Sequence, residues 1–127
     1  LARSQYARGA DVIFSAAGPT GHGVLQAAKD TGKFAIGVDS NQNHLQPGSV
    51  LTSMLKRVDV AVYDAMRQAK SGEWKPGVQV LNLAADGVAY SVDEHNKALL
   101  SNEMIDAAEK ARAAIIAGEV DVPSTLN

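Results

Sequence analysis

The 127-residue sequence is 46% hydrophobic and 20% charged, with a formal net charge of −2, which is ordinary for a globular domain with a core of its own. It has no cluster of basic residues to form the cationic face that nucleic-acid binding requires. No apolar stretch approaches the ~20 residues of a membrane span, and the lack of cysteine excludes disulfides and thiolate metal ligands. The sequence opens at Leu1 without an initiator Met or a signal peptide, so we expect a fragment of a longer protein.

The first half of the sequence predicts helices alternating with buried strands. Residues 1–8 resemble the end of a helix, and the apolar run 11–17 predicts a strand buried on both faces. A helix is predicted over about 20–30, followed by strands at 34–39 and 50–55. This order favours an α/β fold with a mainly parallel sheet.

The second half predicts two more helices around a pair of strands. Apolar spacing indicates a helix over 58–71, and a final helix over about 102–117. Between them lie two strand-like runs, 78–83 and 88–92, joined by a segment that contains an Asp-Gly pair. Because Asp-Gly favours tight turns, these runs predict a hairpin or a bent pair of strands.

A glycine-rich turn at 18–23 follows the first predicted strand. Its glycines would let a ligand approach the backbone, and the start of the next helix offers unpaired N–H groups. The spacing is G-x-x-G-x-G, which is neither the dinucleotide fingerprint nor a P-loop. A tight turn with no ligand explains this loop equally well.

Asp39 ends the second predicted strand, at the sheet edge where α/β proteins bind ligands. A carboxylate at this position can accept hydrogen bonds from both hydroxyls of a ribose. The alternative is that Asp39 only caps the polar loop that follows it.

Lys56 closes the third predicted strand and is a candidate donor to the same ligand, although a solvated lysine is the alternative. With Ser53 it matches S-x-x-K, the acylating motif of penicillin-recognising enzymes, but Ser53 lies in a β-rich run and the companion motifs are absent. We therefore expect no serine acyl chemistry.

Three histidines, His22, His44 and His95, are too scattered in the sequence to indicate a metal site. Residues 93–95 follow a strand in a polar stretch and are predicted to form a solvated loop. We predict neither a metal nor a cofactor.

Four stretches, in order, resemble the basic-membrane-protein family of bacterial lipoproteins, whose best understood members are purine-nucleoside receptors of ABC importers. The resemblance covers nearly the whole chain. These stretches are residues 9–24, Ala35–Ser40, Leu51–Lys56 and Ile116–Pro123.

The resemblance implies a lobe of the type I periplasmic-binding-protein fold, in which two α/β lobes close on a ligand. It implies that Asp39 binds the ribose, that Lys56 makes a polar contact, and that Ala17 and Gly18 line the pocket. The ligand would be guanosine, inosine or adenosine, and the partner would be the membrane permease of the importer. The protein would be a binding protein, not an enzyme, anchored by lipid in the periplasm or at the outer face of the cytoplasmic membrane.

The family's fold also implies a division of the chain. Residues 1–83 would form part of the C-terminal α/β lobe, and residues 84–127 would form a hinge-crossing strand and a terminal helix that packs on a missing lobe. We therefore expect an exposed apolar edge or face that contacts the missing N-terminal lobe or a second chain.

Two other classes of protein remain open. The first is an enzyme domain that holds the ribose of a nucleotide cofactor with the same turn and Asp39, although the sequence lacks a dinucleotide fingerprint and a catalytic dyad. The second is the sugar-binding lobe of a type I regulator, although the sequence shows no DNA-binding headpiece.

Overall fold

The computed structural model describes residues 1–123, and four helices and four strands lie within them. In chain order the elements are α1 (Ala2–Ala7), β1 (Val12–Phe14), α2 (His22–Thr31), β2 (Phe34–Gly37), β3 (Val50–Lys56), α3 (Val58–Ser71), β4 (Val88–Tyr90) and α4 (Asn102–Ile116).

The four strands form one sheet in the order β1-β2-β3-β4. β2 pairs in parallel with both β1 and β3, with Phe14 opposite Ile36 and Gly37 opposite Ser53. β4 pairs antiparallel with β3. The predicted α/β class and mainly parallel sheet are confirmed.

The chain divides into two compact units. The first contains residues 1–56 and 88–100, and therefore the whole sheet with α1 and α2. The second contains residues 57–87 and 101–123, with α3 and α4. The division predicted from the family, into residues 1–83 and 84–127, was defined by packing on another lobe. It stays a prediction.

The apolar core of the first unit lies between α2 and the sheet. Leu25 and Ala28 of α2 are spaced by three residues, so both face the sheet, where Ala35 and Val50 are fully buried. Tyr6 of α1 closes this core. Its phenol O–H donates to the Phe34 carbonyl at 2.7 Å, so α1 is joined to the start of β2.

The prediction that the first strand is buried on both faces is wrong. The side chains of Val12 and Phe14 are 42% and 51% exposed. β1 is an edge strand with β2 as its single neighbour in the described sheet, so less of the chain covers it than covers β2.

The predicted hairpin is also wrong. Residues 78–83 form no strand, and Val78 and Val80 are almost fully exposed. The strand that follows the Asp-Gly pair, β4, pairs instead with β3, where Val88 lies opposite Lys56. The apolar run 88–92 correctly predicted a strand, but the partner of that strand depended on which strand had a free edge.

The second unit contains two helices with exposed apolar residues. α3 begins after Arg57 and ends at Gly72, which adopts the left-handed φ of 75° that favours glycine, so its predicted bounds are confirmed. No residue of α3 is buried, and four large apolar side chains on it are more than half exposed: Val58, Val62, Tyr63 and Met66.

None of the helices described within residues 1–123 combines the length and apolarity needed to cross a membrane.

Candidate functional site

The candidate site lies at the carboxyl edge of the parallel strands. Asp39 follows β2 by two residues, Lys56 is the last residue of β3, and the glycine-rich turn follows β1. Because β1, β2 and β3 run in the same direction, their carboxyl ends meet at one edge. The predicted placement of the turn and Asp39 at the same end of the sheet is confirmed.

Asp39 and Lys56 form an ion pair at this edge. The Lys56 Nζ lies 2.6 Å from the Asp39 Oδ1, while the two side chains remain 60% and 44% exposed. Oδ1 itself is enclosed and accepts no hydrogen bond of good geometry, so the ammonium provides its compensating charge. An exposed ion pair contributes only ~0–1 kcal/mol, which argues against stability as its main role.

The backbone of Asp39 is in an unusual conformation. Its φ is 70°, in the left-handed region, and the N–H of Ser40 donates to the carbonyl of Val38 at 2.9 Å. A three-residue turn of this kind is rare for a residue with a side chain. Such a conformation costs about 1–3 kcal/mol, and it persists only where the surroundings hold it.

Ala17 and Gly18 lie at the neighbouring strand end. Gly18 begins a 3-10 turn, Gly18–Gly21, which leads directly into α2. Its φ of 51° favours glycine, and Ala17 beside it is exposed. Among the described contacts, no hydrogen bond or ion pair joins these two residues to Asp39 or Lys56.

Residues 93–95 form a loop, as predicted, and the Asp93 carboxylate in it is held by three hydrogen bonds. This carboxylate accepts hydrogen bonds from the Asn41 amide at 2.6 Å, from the Asn43 amide at 3.0 Å and from the His95 backbone N–H at 2.8 Å. The hydrogen bond from the Asn41 amide is the main cause that lowers the pKa of Asp93. The His95 N–H, the Asn43 amide and the His95 charge lower this pKa further, and together these contacts outweigh the desolvation that would raise it. The loop after Asp39 is therefore bound to the segment after β4, fifty residues away in sequence.

Two of the histidines that the sequence separates are close in space. The rings of His44 and His95 lie 6.4 Å apart between centroids. Within residues 1–123, however, no cluster of three or more His, Cys, Asp or Glu side chains has the arrangement of a metal site.

Two cavities lie away from the ion pair. A groove of about 420 Å³ runs along β1, and a smaller one of about 200 Å³ lies beside His22. Neither is lined by Asp39 or Lys56, which occupy an open part of the surface.

Comparison with known proteins identifies the family. The profile of the Bmp family, described as ABC transporter substrate-binding protein PnrA-like, matches residues 1–125. This chain belongs to that family. The resemblance found in the sequence is confirmed, and the family consists of substrate-binding proteins of ABC transporters rather than enzymes.

Curated relatives match over most of this chain but over a minority of their own length. The "CD4+ T-cell-stimulating antigen" of Listeria monocytogenes is 36% identical over 97% of this chain and 38% of its own. "Basic membrane protein D" of Borreliella burgdorferi is 35% identical over 96% of this chain and 37% of its own. An "Uncharacterized lipoprotein" of Pyrococcus abyssi is 42% identical over 65% of this chain and 22% of its own. The chain thus spans less than two fifths of the length of these relatives.

Solved structures share the fold. A crystal structure of ABC transporter system solute-binding proteins from Aeropyrum pernix K1 superposes with a TM-score of 0.80 at 25% identity, covering 99% of this chain and 44% of that one. A transcriptional activator of the comK gene from Bacillus halodurans gives a TM-score of 0.79 at 23% identity, covering 90% and 39% of the two chains. At that identity, the second likeness concerns the fold alone.

Proposed function

We propose that this chain is part of a solute-binding protein that captures a purine nucleoside for an ABC-type importer, with Asp39 as the ribose-binding residue. The observation that carries the proposal is the placement of the Asp39 carboxylate. It lies at the carboxyl edge of the parallel strands, where α/β proteins generally bind ligands, in a strained backbone conformation, in a chain of the PnrA-like family.

The chemistry of a ribose suits this carboxylate. The 2′ and 3′ hydroxyls are neighbouring O–H donors, and one carboxylate oxygen can accept more than one hydrogen bond, so Oδ2 of Asp39 could accept from both while Oδ1 faces Lys56. Hydrogen bonds to a charged acceptor are about twice as strong as those between neutral groups. A nucleoside lacking one hydroxyl would leave part of the carboxylate without a donor, which gives a basis for selecting ribose over deoxyribose.

Lys56 would assist Asp39 in two ways. Its ammonium compensates the carboxylate charge at 2.6 Å in the described structure. An ammonium has three N–H donors, so the remaining ones are available to oxygen atoms of the ligand. Ala17 and Gly18 would line the pocket at the adjacent strand end, where Gly18 lets the ligand approach the main chain.

Closure of a second lobe would complete the site. Because Asp39 and Lys56 lie on an open surface, a ligand bound only there would keep one side in water. The chain spans less than two fifths of its relatives, and we propose that the missing N-terminal lobe, or a second chain, covers the ligand and the exposed apolar residues of α3. The names of its lipoprotein relatives support a lipid-anchored protein outside the cytoplasm. Such a protein would deliver its ligand to the membrane permease of the importer.

Calorimetric titration of the complete protein tests the function. We expect binding of guanosine, inosine or adenosine, with weaker binding of 2′-deoxyguanosine and none of NAD. Binding of NAD in preference to nucleosides would favour a cofactor-dependent enzyme, and binding of free sugar alone would favour a sugar receptor. Either result would overturn the proposal.

A further inference from the structure

A cluster of buried polar side chains lies beneath the Asp39 turn. We call it the buried polar network, and its members share burial of more than 90% and engagement by hydrogen bonds. They are Gln42, Asn43, Ser53, Ser91 and Asn96. Because a buried polar group without a partner is costly, such a cluster is stable only where its members satisfy one another.

Two serines and one asparagine form the centre of the network. The Ser53 hydroxyl donates to the Asn43 Oδ1 at 2.8 Å and accepts from the Gln42 backbone N–H at 3.0 Å. The Ser91 hydroxyl donates to the same Asn43 oxygen at 3.1 Å and accepts from the Ser53 backbone N–H at 2.9 Å. Each hydroxyl therefore acts as both donor and acceptor, which determines the direction of every bond.

Asn96 and Asn43 extend the network to the edges of the site. The Asn96 amide donates to the carbonyls of Leu51 at 2.7 Å and Ser91 at 2.9 Å, and its oxygen accepts from the Asp93 backbone N–H. The Asn43 amide donates to the Asp93 carboxylate. The loop after β2, strand β3 and the segment after β4 are thus joined by one set of bonds.

The network reaches the backbone before Asp39, and strand β3 holds the carbonyl of Asp39 itself. The Gln42 Oε1 accepts from the backbone N–H of Val38, the residue before Asp39, at 3.0 Å. The carbonyl of Asp39 accepts from the backbone N–H of Lys56 at 2.9 Å, at the end of the strand that contains Ser53. These bonds restrain the turn in which Asp39 has its left-handed φ.

Gly37 leaves the space that the network occupies. A Cβ at this position would lie 2.6 Å from the Ser53 hydroxyl oxygen and 2.9 Å from the Gln42 Oε1. Both distances are shorter than a carbon can tolerate, so a side chain here would displace the Ser53 hydroxyl, which joins β3 to the loop, and the Gln42 amide, which joins the loop to Val38.

We propose that Gln42, Asn43 and Ser53 are positioning residues for ligand recognition, which hold Asp39 in its left-handed conformation before the ligand arrives. The inference rests on the proposed function of Asp39. A strained residue persists only where its surroundings over-determine it, and a fully satisfied polar network is rigid. Preorganisation then removes the cost of ordering the carboxylate on binding.

Composition of the core supports this role. The core beneath α2 is apolar, whereas three of the largest fully buried side chains of the chain, Asn43, Asn96 and Ser53, are polar and lie beneath the site. Apolar side chains of similar volume would also fill this space, but they would not fix the orientation of their neighbours, because they have no hydrogen-bond donors or acceptors. Hydrogen bonds with defined donors and acceptors fix orientation, which a ligand-binding carboxylate needs.

The test compares Ser53→Ala with Ser49→Ala in the complete protein. Ser53→Ala removes the hydroxyl between Gln42 and Asn43, whereas Ser49 is also a buried serine but lies outside the network. Gly37→Ala is a second variant that keeps every polar group but displaces the network. Two readouts are needed: the ratio of guanosine to 2′-deoxyguanosine affinity, and hydrogen exchange of the Ser40 and Lys56 amides.

We expect Ser53→Ala and Gly37→Ala each to lower the affinity ratio by about tenfold, which corresponds to ~1.4 kcal/mol. Exchange of the two amides should accelerate by about tenfold or more in both variants, because the turn opens more often. Ser49→Ala should change neither readout. A lowered melting temperature with unchanged amide exchange and an unchanged affinity ratio would overturn the inference.

The two readouts separate this inference from the function on which it rests. If the wild type does not prefer guanosine over 2′-deoxyguanosine, the ribose role of Asp39 is wrong. Amide exchange still decides whether the network holds the Asp39 turn: faster exchange in the two variants supports it, and unchanged exchange refutes it.

Discussion

Lys56 contacts Asp39 through two separate groups. Its backbone N–H donates to the Asp39 carbonyl at 2.9 Å, and its ammonium lies 2.6 Å from the Asp39 Oδ1. One residue at the end of β3 therefore restrains both the main chain and the carboxylate of the residue after β2. Only the second contact is lost when the Lys56 side chain is truncated, so the two functions can be tested apart.

Replacement of Asp39 by glycine should separate stability from binding. Glycine adopts a φ of 70° without strain, so we expect the free energy of unfolding to stay unchanged or to rise by up to ~1 kcal/mol. Loss of two charge-assisted hydrogen bonds, each worth roughly 1.5–3 kcal/mol, should weaken guanosine binding by about two to four powers of ten. Thermal unfolding and calorimetric titration measure the two effects.

Asp39→Asn is the matched control for charge, because asparagine also tolerates left-handed backbone. It should lose affinity for guanosine and the preference over 2′-deoxyguanosine. If Asp39 only caps the following loop, both variants will bind guanosine as the wild type does.

Lys56→Ala should weaken guanosine binding by less than Asp39→Gly, by about one power of ten. A flexible ammonium loses more entropy when it is ordered, and water can replace it. Lys33→Ala is the control, since Lys33 pairs with Asp11 in a similar exposed ion pair elsewhere. A loss of affinity for Lys56→Ala as large as that for Asp39→Gly would mean that the ammonium, not the carboxylate, is the principal ligand contact.

Stability should fall with acidification through Asp93. The amide of Asn41, assisted by the His95 N–H, the Asn43 amide and the His95 charge, lowers the pKa of Asp93 in the folded state. The stabilisation is therefore complete above the ordinary aspartate pKa of about 4, and it is lost as the pH falls through the lowered value. We expect Asp93→Asn to reduce the slope of melting temperature against pH below about pH 4.

Glu94→Gln changes the same charge in the neighbouring position and serves as the control. For Glu94→Gln, the slope of melting temperature against pH should stay closer to the wild-type slope than it does for Asp93→Asn. Identical slopes for Asp93→Asn and the wild type would show that the hydrogen bonds to Asp93 contribute no acid-sensitive stability.

Tyr6→Phe should destabilise the protein by about 1 kcal/mol, because it removes the hydrogen bond between α1 and β2 and leaves the Phe34 carbonyl without this donor. Burial raises the pKa of the Tyr6 phenol, so the group remains a donor throughout the neutral range. Tyr63→Phe, at a tyrosine that is 69% exposed, should leave the denaturation midpoint within error. Equal midpoints for Tyr6→Phe and the wild type would contradict the role of this bond.

Gly87→Ala should be strongly destabilising, because a Cβ would overlap the carbonyl oxygen of Leu81. Gly23→Ala provides the comparison, since Gly23 lies in α2 with open space around it and alanine favours helices. Urea denaturation should show a loss of more than about 1 kcal/mol for the first and a small gain for the second. Tolerance of Gly87→Ala would mean that the turn before β4 can move without cost.

The local pattern of the sequence was sufficient to identify several parts of this protein. The bounds of α3, the order of strands and helices up to β3, and the positions of Asp39 and Lys56 at strand ends all followed from apolar spacing and from glycines at helix ends. These features depend on neighbours within one or two turns of chain, so their signal is local. The ordered motifs were sufficient to identify the family as well.

Tertiary structure alone decided which segments meet. β4 pairs with β3 rather than with residues 78–83, and Asp93 binds the loop after Asp39 although fifty residues separate them. The buried polar network also joins segments that are distant in the sequence. Nothing in the sequence distinguishes its serines and asparagines from other loop and strand residues. A hydrogen bond between distant residues leaves no periodicity in the chain, because its donor and acceptor are brought together only when the sheet forms.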